Sequence, residues 1–227
     1  AINLPSGILL LNELEDTELK RLLHLLENPS DNAIFMSGIV VGIVDKTNIL
    51  MSLKIVRITR DFPDMNALEQ IAVEAFPPQE YVSPQDLLSY TESSDDCDFW
   101  GFYAGKDFIG YLHLIRYKNM VYVCFFAVGV SYRSCGYGSE ILSRLKELYP
   151  AYQIVLDIEA ADESAPNLVQ RIRRRDFYRR NGYVPTGHYI AYWGMTFEIL
   201  CSGGDFDLAV YKELVSNIRV EGISFRF

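Results

Sequence analysis

Apolar and polar positions along the chain fall into two regimes. In ELEDTELKRLLHLLEN (13–28), Leu19, Leu22, Leu23 and Leu26 form one helical stripe with acids gathered at its start, and Asn28-Pro29-Ser30 ends it. AIFMSGIVVGIV (33–44) reads as a strand or hairpin, followed by the polar break Asp45-Lys46-Thr47-Asn48. From Met51 onward, strand-like alternation and helical periodicity take turns. KIVRI (54–58) alternates, NALEQIAVEAF (66–76) is helical and stops at Pro77-Pro78, and Ser83-Pro84 opens a second helix through QDLLSY. DFWGFYAG, KDFIGYLHLIRY and MVYVCFFAV are three aromatic and β-branched strands, and the turns Gly105-Lys106 and Lys118-Asn119 predict antiparallel hairpins between them.

The second half continues the pattern. Ile141, Leu142, Leu145, Leu148 and Tyr149 make one helical face that Pro150 ends. QIVLDIEA (153–160) is a strand and 167–180 a helix. HYIAYW and MTFEILC are strands around Gly194, FDLAVYKELVSNI is a helix, and ISFRF is a last strand. The chain is read as an extension, 1–50, with a helix plus a short strand or hairpin and no functional motif, and one mixed α/β domain, 51–227.

Composition narrows the partners. A formal charge of −9 argues against nucleic acid, whose binding needs phosphate neutralisation, and mildly favours a cationic small molecule. Cys97, Cys124, Cys135 and Cys201 are far apart, and His24, His113 and His188 lack ligand spacing, so no metal is expected. Reduced thiols and the lack of a membrane-length apolar run lead to the expectation of a cytoplasmic protein without membrane contact.

The chemistry concentrates where an apolar run breaks, in FAVGVSYRSCGYGSEIL (126–142). This is a strand, a loop bearing Arg133, Gly136 and Gly138, and a helix. A helix start offers unpaired N–H groups, glycine admits an anion close to the backbone, and arginine adds a fixed cation, which together suit a pyrophosphate. A tight strand-to-helix turn explains the same residues. A dinucleotide fold would also place an acid such as Asp157 about twenty residues on, but Ile141 stands where its third glycine belongs. No Walker lysine follows. Further on, NLVQRIRRRDFYRRNGYVPTG (167–187) carries Leu168, Val169, Ile172 and Phe177 on one side and Arg171, Arg175 and Arg179 on another. The arginines read either as a solvated face or as phosphate ligands.

VGVSYRSCGYGSEIL followed about forty residues later by DFYRRNGYVPTG resembles the GNAT superfamily of acyl-coenzyme A dependent N-acetyltransferases, over about 54–201. The resemblance implies an α+β fold with a central, mostly antiparallel twisted sheet flanked by helices, and acetyl-coenzyme A as cofactor. It implies that Arg133, Gly136 and Gly138, with the amides of Cys135, Tyr137 and Ser139, hold the pyrophosphate. The backbone of Phe126 and Val128 would take the pantetheine arm and thioester carbonyl, Asn167 would contact pantetheine, and Tyr178 would protonate the departing thiolate. Ser134 replaces a frequent glycine, Cys135 a frequent basic residue, and Asn167 sits later after its strand than is usual.

The reaction so implied is direct attack of a primary amine, on a small molecule or peptide, with Val128 N–H serving the oxyanion. Strand alternation puts Asp157 and Glu159 on one face; Glu159 is the first candidate base and Asp157 the second. Glu74 and Glu80, flanking Phe76-Pro77-Pro78, are alternatives that would shape acceptor binding. Cysteine catalysis through Cys124 or Cys135 lacks a neighbouring histidine. The aromatic strands near Trp100, Tyr103 and Tyr189 are read as mostly core, with one or two of their residues lining the acceptor pocket. A non-catalytic acyl-coenzyme A sensor is the rival reading, and a homodimer is compatible with either.

Overall fold

The structure, a computed structural model, describes residues 53–163, 165–218 and 225–227. The helix and strand expected within 1–50, and the start of the expected last strand, lie outside the described residues.

The strands are β1 (Leu53–Arg57), β2 (Cys97–Ala104), β3 (Asp107–Tyr117), β4 (Met120–Val128), β5 (Gln153–Glu159), β6 (Val184–Tyr192) and β7 (Met195–Cys201). They form one seven-stranded sheet in the order β1-β2-β3-β4-β5-β7-β6. All neighbours are antiparallel except β4 and β5. Two-residue loops join Ala104 to Asp107 and Tyr117 to Met120, as the turn residues predict. The helices are α1 (Met65–Ala75), α2 (Pro84–Glu92), α3 (Tyr137–Leu148), α4 (Leu168–Arg180) and α5 (Leu208–Ser216). Ser83 caps α2 by accepting from the Asp86 amide at 3.1 Å, with Pro84 in its first turn.

Alternation along the strands divides the core. Leu112, Val121 and Leu156 pack with Ile141, Leu142 and Leu145 of α3 and Tyr178 of α4 on one face. Phe99 and Tyr111 face α1 and α2, while Tyr122, Val155 and Ile199 face α5. The buried strand side chains therefore divide between two helical layers. No helix among the described residues is long and apolar enough to cross a membrane.

Three expectations need correcting. Leu148, placed on the buried face of α3, is 40% exposed, because it sits in the last helical turn beyond the sheet. In α4, Val169 and Ile172 are 63% and 36% exposed, and Tyr178 is the buried residue; the apolar contact with the sheet is made near the C-terminal end of the helix. β6 begins at Val184, four residues earlier than its alternation suggests, because Pro185 and Gly187 mask the pattern across an irregularity between Pro185 and Tyr189.

The β3–β4 register skips Cys124: His113 faces Phe125 and Leu114 faces Val123. This bulge bends β4 where its pairing with β5 ends. A second close fit lies near the end of β4, where a Cβ on Gly110 would sit 2.4 Å from the Ala127 carbonyl oxygen. Gly110→Ala should therefore destabilise the domain by at least about 1–3 kcal/mol, the range for overpacking. A urea midpoint equal to that of the parent would show that the strands adjust freely.

Candidate active site

Parallel pairing of β4 with β5 is confined to Met120–Tyr122 against Gln153–Val155. Beyond it the strands part, and a cleft of about 610 Å³ opens between them. The Gly129 amide donates to the Ile109 carbonyl at 2.9 Å, which fixes the alternation of the β3–β4 ladder. The N–H and C=O groups of Phe126 and Val128 consequently point away from β3, toward the side that β5 has vacated. An extended ligand can pair there as an added strand. The Val128 carbonyl accepts from Arg133 Nε at 2.9 Å, so this arginine folds back over the end of β4.

The loop after β4 delivers the chain to α3 through a 3-10 turn (Val130–Tyr132), Ser134 at φ 62° and Gly136 at φ 86°. Gly136 is the N-cap, no side chain caps the helix, and the first helical bond runs from the Glu140 amide to the Gly136 carbonyl. The amides of Tyr137, Gly138 and Ser139 thus precede the intrahelical ladder, at the positive end of the helix dipole. Among the described residues no carboxylate pairs with Arg133. The Cys135 side chain is exposed. The Tyr137 side chain is buried against Tyr132, leaving only its amide for a ligand. Gly138 also has a packing role: a Cβ there would lie 3.1 Å from Phe177 Cζ.

Of the expected site residues, Phe126, Glu159, Asn167 and Tyr178 line the cleft. The loop from Arg133 to Ser139 lies past the end of β4, outside the cleft wall. Glu159 receives Arg171 Nη2 at 3.0 Å and Arg174 Nη1 at 2.8 Å. Asn167 donates to Glu159 at 3.3 Å and accepts from Arg171 Nε at 2.8 Å, and Arg171 also donates to the Ala160 carbonyl. This cluster ties the first half of α4 to the end of β5. Arg171 therefore faces inward rather than into solvent; Arg173, Arg179 and Arg180 are exposed.

Asp157 is enclosed by protein yet open to the cleft. Tyr122, Tyr192 and Tyr211 donate to it at 3.0, 3.1 and 3.2 Å. Burial pushes its carboxyl up to about 6, against the opposing pull of the three phenols. Burial also raises Glu80, reinforced by Glu159 and Asp157 and offset by Arg174 and Arg171. Glu80 lines the cleft, and among the described residues its carboxylate has no hydrogen-bond or ion-pair partner. Tyr178, also on the wall, is pushed up to about 12, chiefly by burial. Cys124 lines the cleft too, but burial holds its thiol well above its ordinary value, unlike a nucleophilic cysteine.

Of the aromatics singled out from the sequence, Trp100, Tyr103 and Tyr189 are not on the wall, but the run around Tyr189 supplies two wall residues, Tyr192 and Trp193. Trp100 donates to the Tyr149 hydroxyl, Tyr103 bonds Asp64, and Tyr189 is exposed. Phe197 and Phe225 join Tyr192 and Trp193 in lining the cleft. Their sequence signal was aromatic alternation, which does not distinguish a cavity face from a packed one.

These positions allow a pH test. The folded protein holds the Asp157 proton more tightly than the unfolded chain between about pH 4 and 6, so this group lowers stability as pH rises through that window. Asp157→Asn should remove the contribution. From pH 4 to 7, its urea-derived stability relative to the parent should rise by up to about 3 kcal/mol for a two-unit shift. A difference independent of pH would mean that Asp157 titrates normally.

Residues 65–183, more than half of the chain, match the Acetyltransferase (GNAT) family. No curated protein is significantly similar to the full sequence. Among solved structures, a Bacteroides thetaiotaomicron protein described as a GNAT-family acetyltransferase superposes with a TM-score of 0.57 at 24% identity, over 71% of this chain and 93% of its own. An acetyltransferase from Thermus thermophilus gives 0.52 at 13%, over 67% and 97%. An aminoglycoside 6'-N-acetyltransferase complexed with coenzyme A gives 0.51 at 13%, over 68% and 99%. At these identities the superpositions establish the shared fold. Together with the family match, which spans the loop and Tyr178, they lead to one conclusion: this chain belongs to the GNAT acetyltransferase family.

Proposed function

We propose that the protein transfers an acetyl group from acetyl-coenzyme A to a primary amine by direct attack. The observation that carries this reading is the edge of β4 at Phe126 and Val128 that no strand covers, running to the uncapped start of α3. An extended amide chain ending in a diphosphate fits that geometry. The coenzyme A bound by the aminoglycoside acetyltransferase supports the same choice. Arg133, with the amides from Cys135 to Ser139, would hold the phosphates, and Phe126 and Val128 would pair with the arm. When bound, the thioester supplies the activated carbonyl.

The chain's own groups divide the proton work. An alkylamine has a pKa near 10.4, so it must lose a proton before it attacks. Glu159 has both oxygens engaged by guanidinium groups, and Asp157 accepts three phenols. Glu80, unpaired and raised by burial, is better suited to accept that proton, with Glu159 bracing α4. The Val128 N–H is aimed into the gap beside β4, where it can donate to the carbonyl oxygen as charge develops. Tyr178 stays protonated at neutral pH and can donate to the departing sulfur.

Two substitutions test this. Tyr178→Phe should lower kcat by about 10²-fold or more while leaving acetyl-coenzyme A affinity within about twofold, measured by thiol release and calorimetry. Unchanged turnover would remove Tyr178 as the acid, and no turnover by the parent with any amine would favour a sensor. Arg133→Ala should weaken coenzyme A binding by about 1–3 kcal/mol, the range for a charge-assisted bond. Normal binding would reduce Arg133 to a strap on the Val128 carbonyl.

A further inference from the structure

The hairpin between β6 and β7 turns through two residues, Trp193 at φ 50° and Gly194 at φ 74°, with Tyr192 paired to Met195. Both central residues have positive φ, as in the turn that Asn-Gly favours. For a residue as bulky as tryptophan this backbone is an outlier, and such strain persists where a site uses it. Trp193 lines the cleft.

It does not stand alone. Its ring meets Tyr192 at 5.1 Å and 67°, and Tyr192 stacks on Phe197 at 4.1 Å with planes 4° apart. Phe225 meets Tyr192 at 5.3 Å and 66°. Two backbone bonds hold Phe225 there, from Ala191 N–H to the Arg226 carbonyl at 2.7 Å and from Arg226 N–H to the Ala191 carbonyl at 2.9 Å. The Tyr192 hydroxyl is anchored on Asp157. Apart from the parallel Tyr192–Phe197 pair these rings meet edge to face, and the one polar handle of the cluster, the Tyr192 hydroxyl, is already satisfied. Glu80 is the carboxylate of the same cleft without a partner among the described residues.

Building on the acetyl-transfer reading, we infer that the acceptor is a primary amine attached to a flat aromatic body, received in the cleft against Trp193 and the neighbouring rings of Tyr192, Phe197 and Phe225, with its amino group directed to Glu80. Ring-on-ring contact rewards an aryl group over an alkyl chain of equal length. Trp193 is the specificity-determining residue, kept against the preference of its own turn.

The test compares 2-phenylethylamine, hexylamine and spermidine as acceptors, by thiol release, in the parent, Trp193→Asn and Phe225→Ala. Phenylethylamine should exceed the other two at least about tenfold in kcat/KM. In both variants that ratio should fall toward one with an unchanged KM for acetyl-coenzyme A, and Trp193→Asn should raise Tm by about 2–4 °C. A second readout does not depend on turnover. The chain has two tryptophans, so Trp100→Phe leaves Trp193 as the sole reporter, and phenylethylamine should quench it saturably. Should that variant fail to fold, the quench present in the parent and lost in Trp193→Asn gives the same information.

Equal rates for the three amines, a preference that survives Trp193→Asn, or a lowered Tm in that variant overturns the inference. Steady turnover of spermidine without any effect of phenylethylamine on Trp193 would refute the aromatic pocket and spare the acetyl-transfer reading. Saturable quenching without turnover of any amine would do the reverse.

Discussion

The sheet is interrupted in its own interior, and the site depends on that interruption. β4 and β5 share three residue pairs and then separate, which exposes main-chain donors and acceptors at Phe126 and Val128 in the middle of a seven-stranded sheet. Buried backbone polar groups require partners, and an edge inside a sheet requires an extended one. The bulge at Cys124 makes this possible in two ways: it bends β4 away, and it sets which residues point their amides into the gap. The uncapped start of α3 follows that edge along the chain, so the same strand that opens the cleft also leads to a helix start with free amides.

The cleft holds three carboxylates in three different environments. Glu159 is neutralised by two guanidiniums and braces α4 against β5; because Tyr178 lies on the same helix, this cluster indirectly sets where the phenol stands. Asp157 carries three phenol hydrogen bonds and organises one wall, while Glu80 remains available. Environment, not residue type, separates a brace, an anchor and a carboxylate left without a partner among the described residues. The wall anchored by Asp157 also accommodates Trp193 in a backbone conformation that costs stability, a compromise typical of binding surfaces.

Much of the architecture is legible along the chain. Period-two runs mark most strands, period-3.6 runs the helices, and Ser83-Pro84, Gly105-Lys106 and Lys118-Asn119 mark a helix start and two turns, because these signals are local and steric. β6 is misread at its start, since Pro185 and Gly187 break the alternation without ending the strand. The apolar residues at the start of α4 suggest burial that does not occur, because periodicity reveals a face but not what covers it.

The amino-acid sequence by itself determined the α/β class, the strand-loop-helix bend with Arg133, Gly136 and Gly138, and the motif carrying Tyr178. Each resides in contiguous residues whose spacing expresses a backbone requirement. Tertiary structure alone decided that Glu159 is paired with Arg171 and Arg174, that Asp157 collects phenols from Tyr122, Tyr192 and Tyr211, and that Phe225 reaches the wall of the cleft. Those contacts join residues from separate elements, and which of them meet depends on how the strands diverge and on which helix face turns inward, neither of which is encoded in local spacing.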